Sequence, residues 1–318
     1  MNRGGWSRLG WGRIMIVIFL VVALTSCARS RYRWVSLTPA STPANGPEST
    51  AMPTSSDQAL RVGVAAILSP QSTIQHYAPL TDYFEGYLGR PIQLIQRQTY
   101  AEINEMVRMG QLEMAFVCTG AYLSGEREFG MEPIAVAQVG GEATYHSYII
   151  VPAAHSAQRI EDLESKVFAF TDPLSLSGYF APLYLLAQRG WTPETFFART
   201  LFTYSHDNSI RSVAEGWVDA AAVDSLVYDA MVRQDELLRE STRVIWTSQP
   251  FGTPPVVVSP HIDPQLKGRL REMLLTMHLE EAGRVALARL GVEAFAPAEP
   301  SLFDSARQVL TIVGGTFR

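Results

Sequence analysis

The stretch Leu60–Cys118, "LRVGVAAILSPQSTIQHYAPLTDYFEGYLGRPIQLIQRQTYAEINEMVRMGQLEMAFVC", decides the fold. Residues 60–68, 91–97 and 113–118 are short apolar runs that read as strands. Residues 74–88 and 100–110 carry apolar side chains at helical spacing, with Pro79 early in the first helix and Gly110 closing the second. Strand, helix, strand, helix, strand is a βαβαβ unit, and its helical crossovers force parallel strands. A second series begins near residue 166. There "KVFAF" (166–170), "LFTYS" (201–205) and "VDAAAV" (218–223) read as strands. Helices fall in "GYFAPLYLLAQRG" (178–190), "NSIRSVAEG" (208–216) and "DSLVYDAMVRQ" (224–234). "YHSYIIVP" (145–152) lies between the two series, and "RVIWTS" (243–248) and "PPVVVSP" (254–260) follow the second, before helical segments that return to the first unit. The expected class is α/β, in two lobes that are each a doubly wound, mainly parallel sheet. The chain passes twice between them through a two-strand hinge. Lobe 1 is expected to take residues 59–146 plus 255–318, and lobe 2 residues 147–254.

The composition, 47% hydrophobic and 18% charged over 318 residues, belongs to a folded chain with room for two medium domains. The N-terminus reads differently. Arg3, Arg8 and Arg13 precede the unbroken apolar run Ile14–Leu24, which is too short to span a bilayer comfortably but right for a signal-peptide core. Leu24-Thr25-Ser26-Cys27 resembles a bacterial lipobox, so residues 1–26 are expected to be a signal peptide and Cys27 to be lipidated. An ordinary secretory signal or an uncleaved anchor remains open, and all three put the body outside the cytoplasmic membrane. Residues 27–58, rich in Pro, Ser and Thr, form a flexible tether of roughly 30 Å mean span. Cys118 is then the one remaining cysteine, and no internal disulfide is expected. Losing residues 1–26 removes three arginines and no acids, moving the net charge from −5 to −8. That argues against nucleic acid as a partner.

In doubly wound folds, ligands bind beyond the carboxyl ends of the strands, where helices begin. Three such junctions carry polar groups. In "FTDPLSLSGYFAP" (170–182), Ser175 and Ser177 offer hydroxyls, Gly178 lets backbone N–H groups approach a ligand, and Pro182 falls in the first helical turn. An ordinary serine N-cap fits this stretch equally well. In "TYSHDNSIRSVAEG" (203–216), His206 can donate to the same anion, with Asp207 or Asn208 capping the helix. In "FVCTGAY" (116–122), Cys118 and Thr119 end a strand and open a helix.

Four segments, "TYAEINEMVRMGQLEMAF", "DPLSLSG", "SHDNSIRSVAEGWVDAAAVDSLVYDAM" and "RVIWTSQPFGTPPVVV", resemble the phosphate/phosphite/phosphonate-binding proteins of ABC importers. The likeness covers about Leu60 to Phe295 and implies a two-lobed periplasmic-binding-protein fold. By that resemblance Ser175 and Ser177 match phosphonate-binding serines, His206 an anion-binding histidine and Tyr100 a cleft tyrosine. The family's hydroxyl between the two serines is Leu176 here, where only the backbone N–H can serve. Its second cleft tyrosine falls on Val117, and the acids that grip a substrate amine fall near Leu226 and Thr253. Asp224, close to the first of these, is the carboxylate that could substitute. The resemblance therefore implies phosphate, phosphite or a small alkylphosphonate rather than an aminoalkylphosphonate.

Uptake is the expected role: a monomeric lipoprotein, membrane-held through its lipid, that delivers a small oxyanion to an ABC permease, with no cofactor and no metal. The alternative is oxyanion sensing through a membrane sensor kinase, with Cys118 as a thiol for arsenite. Catalysis is not expected. Ser175 or Ser177, His206 and Asp172 or Asp224 form a triad only on paper, with no Gly-x-Ser-x-Gly elbow and no His-Glu-x-x-His pair.

Overall fold

The computed structural model describes Met1 and residues 59–316. The expected signal peptide, Cys27 and the tether lie outside the described residues. The strands are β1 (Leu60–Val64), β2 (Ile92–Gln96), β3 (Met114–Phe116), β4 (Glu132–Gln138), β5 (Thr144–Tyr145), β6 (Ser147–Pro152), β7 (Val167–Phe170), β8 (Arg199–Phe202), β9 (Ala220–Asp224), β10 (Thr242–Thr247), β11 (Phe251–Gly252), β12 (Pro255–Val258) and β13 (Ala294–Ala296). The helices used below are α1 (Pro70–Leu88), α2 (Tyr100–Arg108), α3 (Thr119–Phe129), α4 (Ala181–Ala187), α5 (His206–Ala214), α6 (Ser225–Gln234), α7 (Pro264–Thr276), α8 (Glu281–Leu290) and α9 (Asp304–Thr316).

One sheet has the order β13-β4-β12-β3-β1-β2 and the other β10-β6-β9-β7-β8. Parallel pairing is confined to β2-β1-β3 in the first and β8-β7-β9 in the second. The sheets are thus mixed, and the reason is the hinge. The chain crosses once before β6 and again before β12, and each arriving strand lies antiparallel beside the third parallel strand, β6 on β9 and β12 on β3. The two passes themselves form a small antiparallel ladder, β5 on β11, with Tyr145 opposite Phe251.

The first sheet buries Leu60, Phe84, Met114, Leu270 and Met273 in one core, and the second buries Ile150, Ala169, Ile210 and Ala221 in another. A third cluster joins residues of both sheets' surroundings, including Tyr122 against Phe303 with ring centroids 4.8 Å apart. The last helix, α9, packs on both α3 and α4. Each fully buried ring or branched chain contributes about 1.5–3 kcal/mol, so α9 supports the joint between the sheets as well as its own lobe.

Helix α1 starts earlier than its periodicity suggests. Pro70 occupies the first turn, where no N–H is needed, and Gly89 closes the helix at φ 67°. Pro79 therefore lies well inside the helix, where its missing N–H breaks one helical bond. Helix α2 is fixed by a capping box in which Thr99 and Glu102 satisfy each other's backbone N–H groups. That places Tyr100 at the first helical position, facing the other lobe.

Candidate functional site

Strand β7 ends at Phe170, and the following loop is shaped by its own polar groups. Asp172 accepts from the N–H of Leu174 at 2.8 Å and, across the cleft, from the N–H of Tyr100 at 3.1 Å. The Ser175 hydroxyl oxygen accepts from the N–H of Gly178 at 3.0 Å. Residues Leu176–Phe180 then make a wide turn, with the Phe180 N–H donating to the Ser175 carbonyl five residues back at 3.0 Å, before α4 begins. Such turns gather at functional sites. Three of these positions have roles within the fold itself. Ser175 is a cap. Gly178 is demanded by packing, because a Cβ there would sit 2.4 Å from the Thr171 hydroxyl, and its N–H is spent on Ser175. Leu176 is fully buried, and its N–H meets the Cys118 sulfur at 3.4 Å. The Ser177 hydroxyl is different: it is buried and has no hydrogen-bond partner.

His206 opens α5 after Tyr204, whose φ of 59° puts a non-glycine residue in the left-handed region. That strain is held by the Tyr204 N–H donating to the Thr171 carbonyl at 2.8 Å. The His206 Nδ1 accepts from the backbone N–H of Asp224 at 3.0 Å. An amide N–H can only donate, so Nδ1 is bare and the proton sits on Nε2. That Nε2 is buried without a partner. Burial pushes the imidazole pKa down to about 3, so His206 is a neutral donor at physiological pH. Neither expected cap acts on α5. Asp207 reaches across the cleft to Ser69 and Ser72, and Asn208 donates to the Thr203 carbonyl at 3.3 Å.

From the first lobe, Tyr100 is fully buried with an unpartnered hydroxyl, and burial lifts its pKa well above the ordinary value. Charges on Cys118, Asp172, Asp224 and Tyr145 lie near enough to raise it further. The Cys118 thiol lies 3.9 Å from the Ser175 hydroxyl oxygen, and burial raises its pKa. The Thr119 hydroxyl donates to the Gly252 carbonyl at 3.0 Å, tying α3 to the hinge strand. Asp224 ends β9 and caps α6, accepting from Leu226 at 2.7 Å and Val227 at 3.3 Å. Its carboxyl is pushed up to about 7, chiefly by burial.

The structure adds Tyr145, which the sequence reasoning passed over. It sits in β5 and is buried, and its hydroxyl lies near the Thr119 and Ser177 hydroxyls without meeting hydrogen-bond geometry with either. A signal was present: the tyrosine lies where the chain crosses between lobes, and a crossing strand floors the cleft. Tyr100, Tyr145, Ser177 and His206 each keep a buried polar atom for which the protein supplies no hydrogen-bond partner. Cys118, Thr119, Ser175 and Asp224 all make hydrogen bonds within the fold, although Ser175 acts in them as an acceptor and keeps its own O–H to donate.

A family model described as ABC transporter, phosphonate, periplasmic substrate-binding protein matches residues 62–303. The phosphate-import protein PhnD of Mycolicibacterium smegmatis is 26% identical over 208 residues, which is 62% of this chain and 65%, just under two thirds, of that protein. The binding protein component of an ABC phosphonate transporter from Pseudomonas aeruginosa superposes with a TM-score of 0.76 at 23% identity, over 82% of this chain and 88% of its own. PhnD1 of Prochlorococcus marinus, solved with methylphosphonate, superposes with a TM-score of 0.72 at 17% identity, over 80% of this chain and 98% of its own. At these identities the two structures speak for the fold.

Proposed function

The chain belongs to the family of phosphonate periplasmic substrate-binding proteins of ABC transporters, and we propose that it captures a phosphorus oxyanion between its lobes and delivers it to a membrane permease. The ligand is phosphate, phosphite or a small phosphonate. Members of this family act outside the cytoplasm as substrate-binding components of transport. In this proposal residues 1–26 direct export, a lipid on Cys27 holds the chain to the membrane, and residues 27–58 give it reach. The monomer closes by moving residues 59–146 with 255–318 against residues 147–254.

The observation that carries the proposal is the set of unpaired donors on Tyr100, Tyr145, Ser177 and His206. A buried polar group without a partner costs about 1–3 kcal/mol. Four such groups are costly for a fold to hold, and a ligand with several acceptor oxygens would satisfy them. All four are neutral, so fixed dipoles rather than an ion pair would hold the anion. A phosphate-import relative and a fold neighbour solved with methylphosphonate fit the same ligand chemistry. The arsenite alternative finds less support, because arsenite needs a thiolate and burial raises the Cys118 pKa.

Calorimetric titration with phosphate, phosphite and methylphosphonate tests the proposal. Binding of at least one is expected, with Ser177→Ala weakening it by about 1–3 kcal/mol. Absence of heat with all three, or wild-type affinity in the variant, would contradict it.

A further inference from the structure

A cavity of about 440 Å³ lies between the lobes, beyond the carboxyl ends of β2 and β8. Ser69, Arg97 and Gln98 line it from the first lobe, and Ser205 and Asn208 from the second. Tyr100, Tyr145, Ser177 and His206 are absent from its lining, so it is separate from the donors assigned to the oxyanion.

Ser205 directly precedes α5, is 1% exposed, and has a hydroxyl with no hydrogen-bond partner. A serine at that position ordinarily caps the helix. Here its side chain makes no cap bond, which leaves the first-turn N–H groups of α5 uncapped at the positive end of the helix dipole. Arg97 brings a guanidinium to the same space from the first lobe, with Nη1 donating to the Gln96 carbonyl at 3.0 Å. A buried hydroxyl, a helix start and a guanidinium around one cavity suit an anion.

The neighbouring carboxylates set the charge that fits. Glu102 lines the cavity, and Asp207 directly precedes Asn208. Both are met by donors of the fold. Glu102 accepts from the Thr99 N–H and hydroxyl, each at 2.9 Å, and Asp207 from the Ser69 N–H at 2.9 Å and the Ser72 hydroxyl at 3.1 Å. One guanidinium and the roughly half charge of a helix end, with two acids close by, balance one negative charge rather than two. The volume falls within the range of small-molecule pockets, about 300–1,000 Å³. Ser69, Gln98 and Asn208 offer neutral hydrogen-bonding groups to the rest of an organic molecule.

We propose that this cavity is a second ligand site, for a small polar monocarboxylate held by Ser205, the start of α5 and Arg97. It stands apart from the oxyanion proposal, and its occupant bridges the two lobes.

Amide-resolved NMR titration of the full chain tests it, with lactate, acetate and inorganic phosphate as probes. Lactate should move the Ser205 and Asn208 amides along a saturable curve, at least as tightly as acetate does. Ser205→Ala and, separately, Arg97→Gln should each weaken that response about tenfold, and Ser177→Ala should leave it unchanged. Such a pattern supports the site even if the oxyanion proposal fails. No movement of those amides with either carboxylate would overturn it. A response lost in Ser177→Ala would assign the signal to the oxyanion donors and remove the second site. In the Ser177→Ala chain, tighter binding of phosphate than of lactate would remove the monocarboxylate assignment.

Discussion

The backbone N–H of Asp224 donates to His206 Nδ1, and that bond places two titratable groups with opposite pH signatures side by side. His206 has a folded pKa of about 3 against an ordinary 6.5, so the unfolded chain takes up its proton first as pH falls. The stability it contributes is present above pH 6.5 and is lost towards pH 3. Asp224 has a folded pKa of about 7 against an ordinary 3.8, so the unfolded chain releases its proton first as pH rises. Its contribution is present below pH 3.8 and is lost by pH 7. Between about pH 4 and 6.5 the two offset each other. Asp224→Asn keeps the helix cap, since asparagine caps as well as aspartate, and removes the carboxyl titration. Calorimetric melting at pH 4.5, 5.5 and 6.5 should show the variant gaining Tm with pH more steeply than the wild type. Equal slopes would contradict this account of the pair. At this scale the strand-end junctions pointed to Ser175, Ser177, His206, Cys118 and Thr119, while Tyr100 and Asp224 entered through the family resemblance. The sequence could not separate Ser175 from Ser177. Which serine caps and which is left free depends on the wide turn between residues 176 and 180, and no local pattern announces that turn. Tyr145 was hidden because its strand has only two residues.

Among the elements, the first turn of α3 shows how closely the lobes meet. A Cβ on Gly120 would lie 2.4 Å from the Leu174 carbonyl oxygen and 2.9 Å from the Leu176 nitrogen, both backbone atoms of the opposite lobe. Backbone cannot yield as a flexible side chain can, so Gly120 is required by the closed arrangement. Within the helix alone, alanine would be favoured over glycine by about 1 kcal/mol. Gly120→Ala should therefore leave the melting temperature of the unliganded chain level or slightly raised while weakening anion binding at least about tenfold. Unchanged affinity by calorimetry would show that residues 174–176 do not need to approach α3. The two βα series were legible in the periodicity, to within a few residues at each end, but the strand β4 between them was not anticipated. Strand direction beyond the parallel triplets was not, because it depends on which sheet edge each hinge crossing joins.

Over the whole molecule, closure rests on carboxylates that work across the cleft. Asp207 accepts from the Ser69 N–H at 2.9 Å and the Ser72 hydroxyl at 3.1 Å, at the start of α1. Asp172 takes the Tyr100 N–H at the start of α2. Both satisfy backbone donors that a helix start leaves open, and both favour the positive end of a helix dipole. The His206 backbone N–H adds a further crossing bond, to the Ile67 carbonyl at 3.0 Å. When the lobes part, each of these groups must find water instead. Asp207→Ala should weaken anion binding by about 1–3 kcal/mol through closure alone, since its carboxylate is already occupied by Ser69 and Ser72. Small-angle scattering should show the ligand-saturated variant less compact than the ligand-saturated wild type. Matching curves and matching affinities would remove the latch. The two-lobed order was readable from repeated α/β series joined twice, but these latches were not. The carboxylate latches pair residues 72 to 138 positions apart, and Asp207 looked like an ordinary cap for its own helix.

The central claim is that an oxyanion completes a set of neutral donors that the fold leaves unpaired. A crystal structure of the chain with methylphosphonate tests it most directly. The account predicts phosphonate oxygens within hydrogen-bonding distance of Ser177 Oγ, His206 Nε2 and the Tyr100 and Tyr145 hydroxyls. A phosphonate seated elsewhere, with those four donors still unpaired, would contradict it.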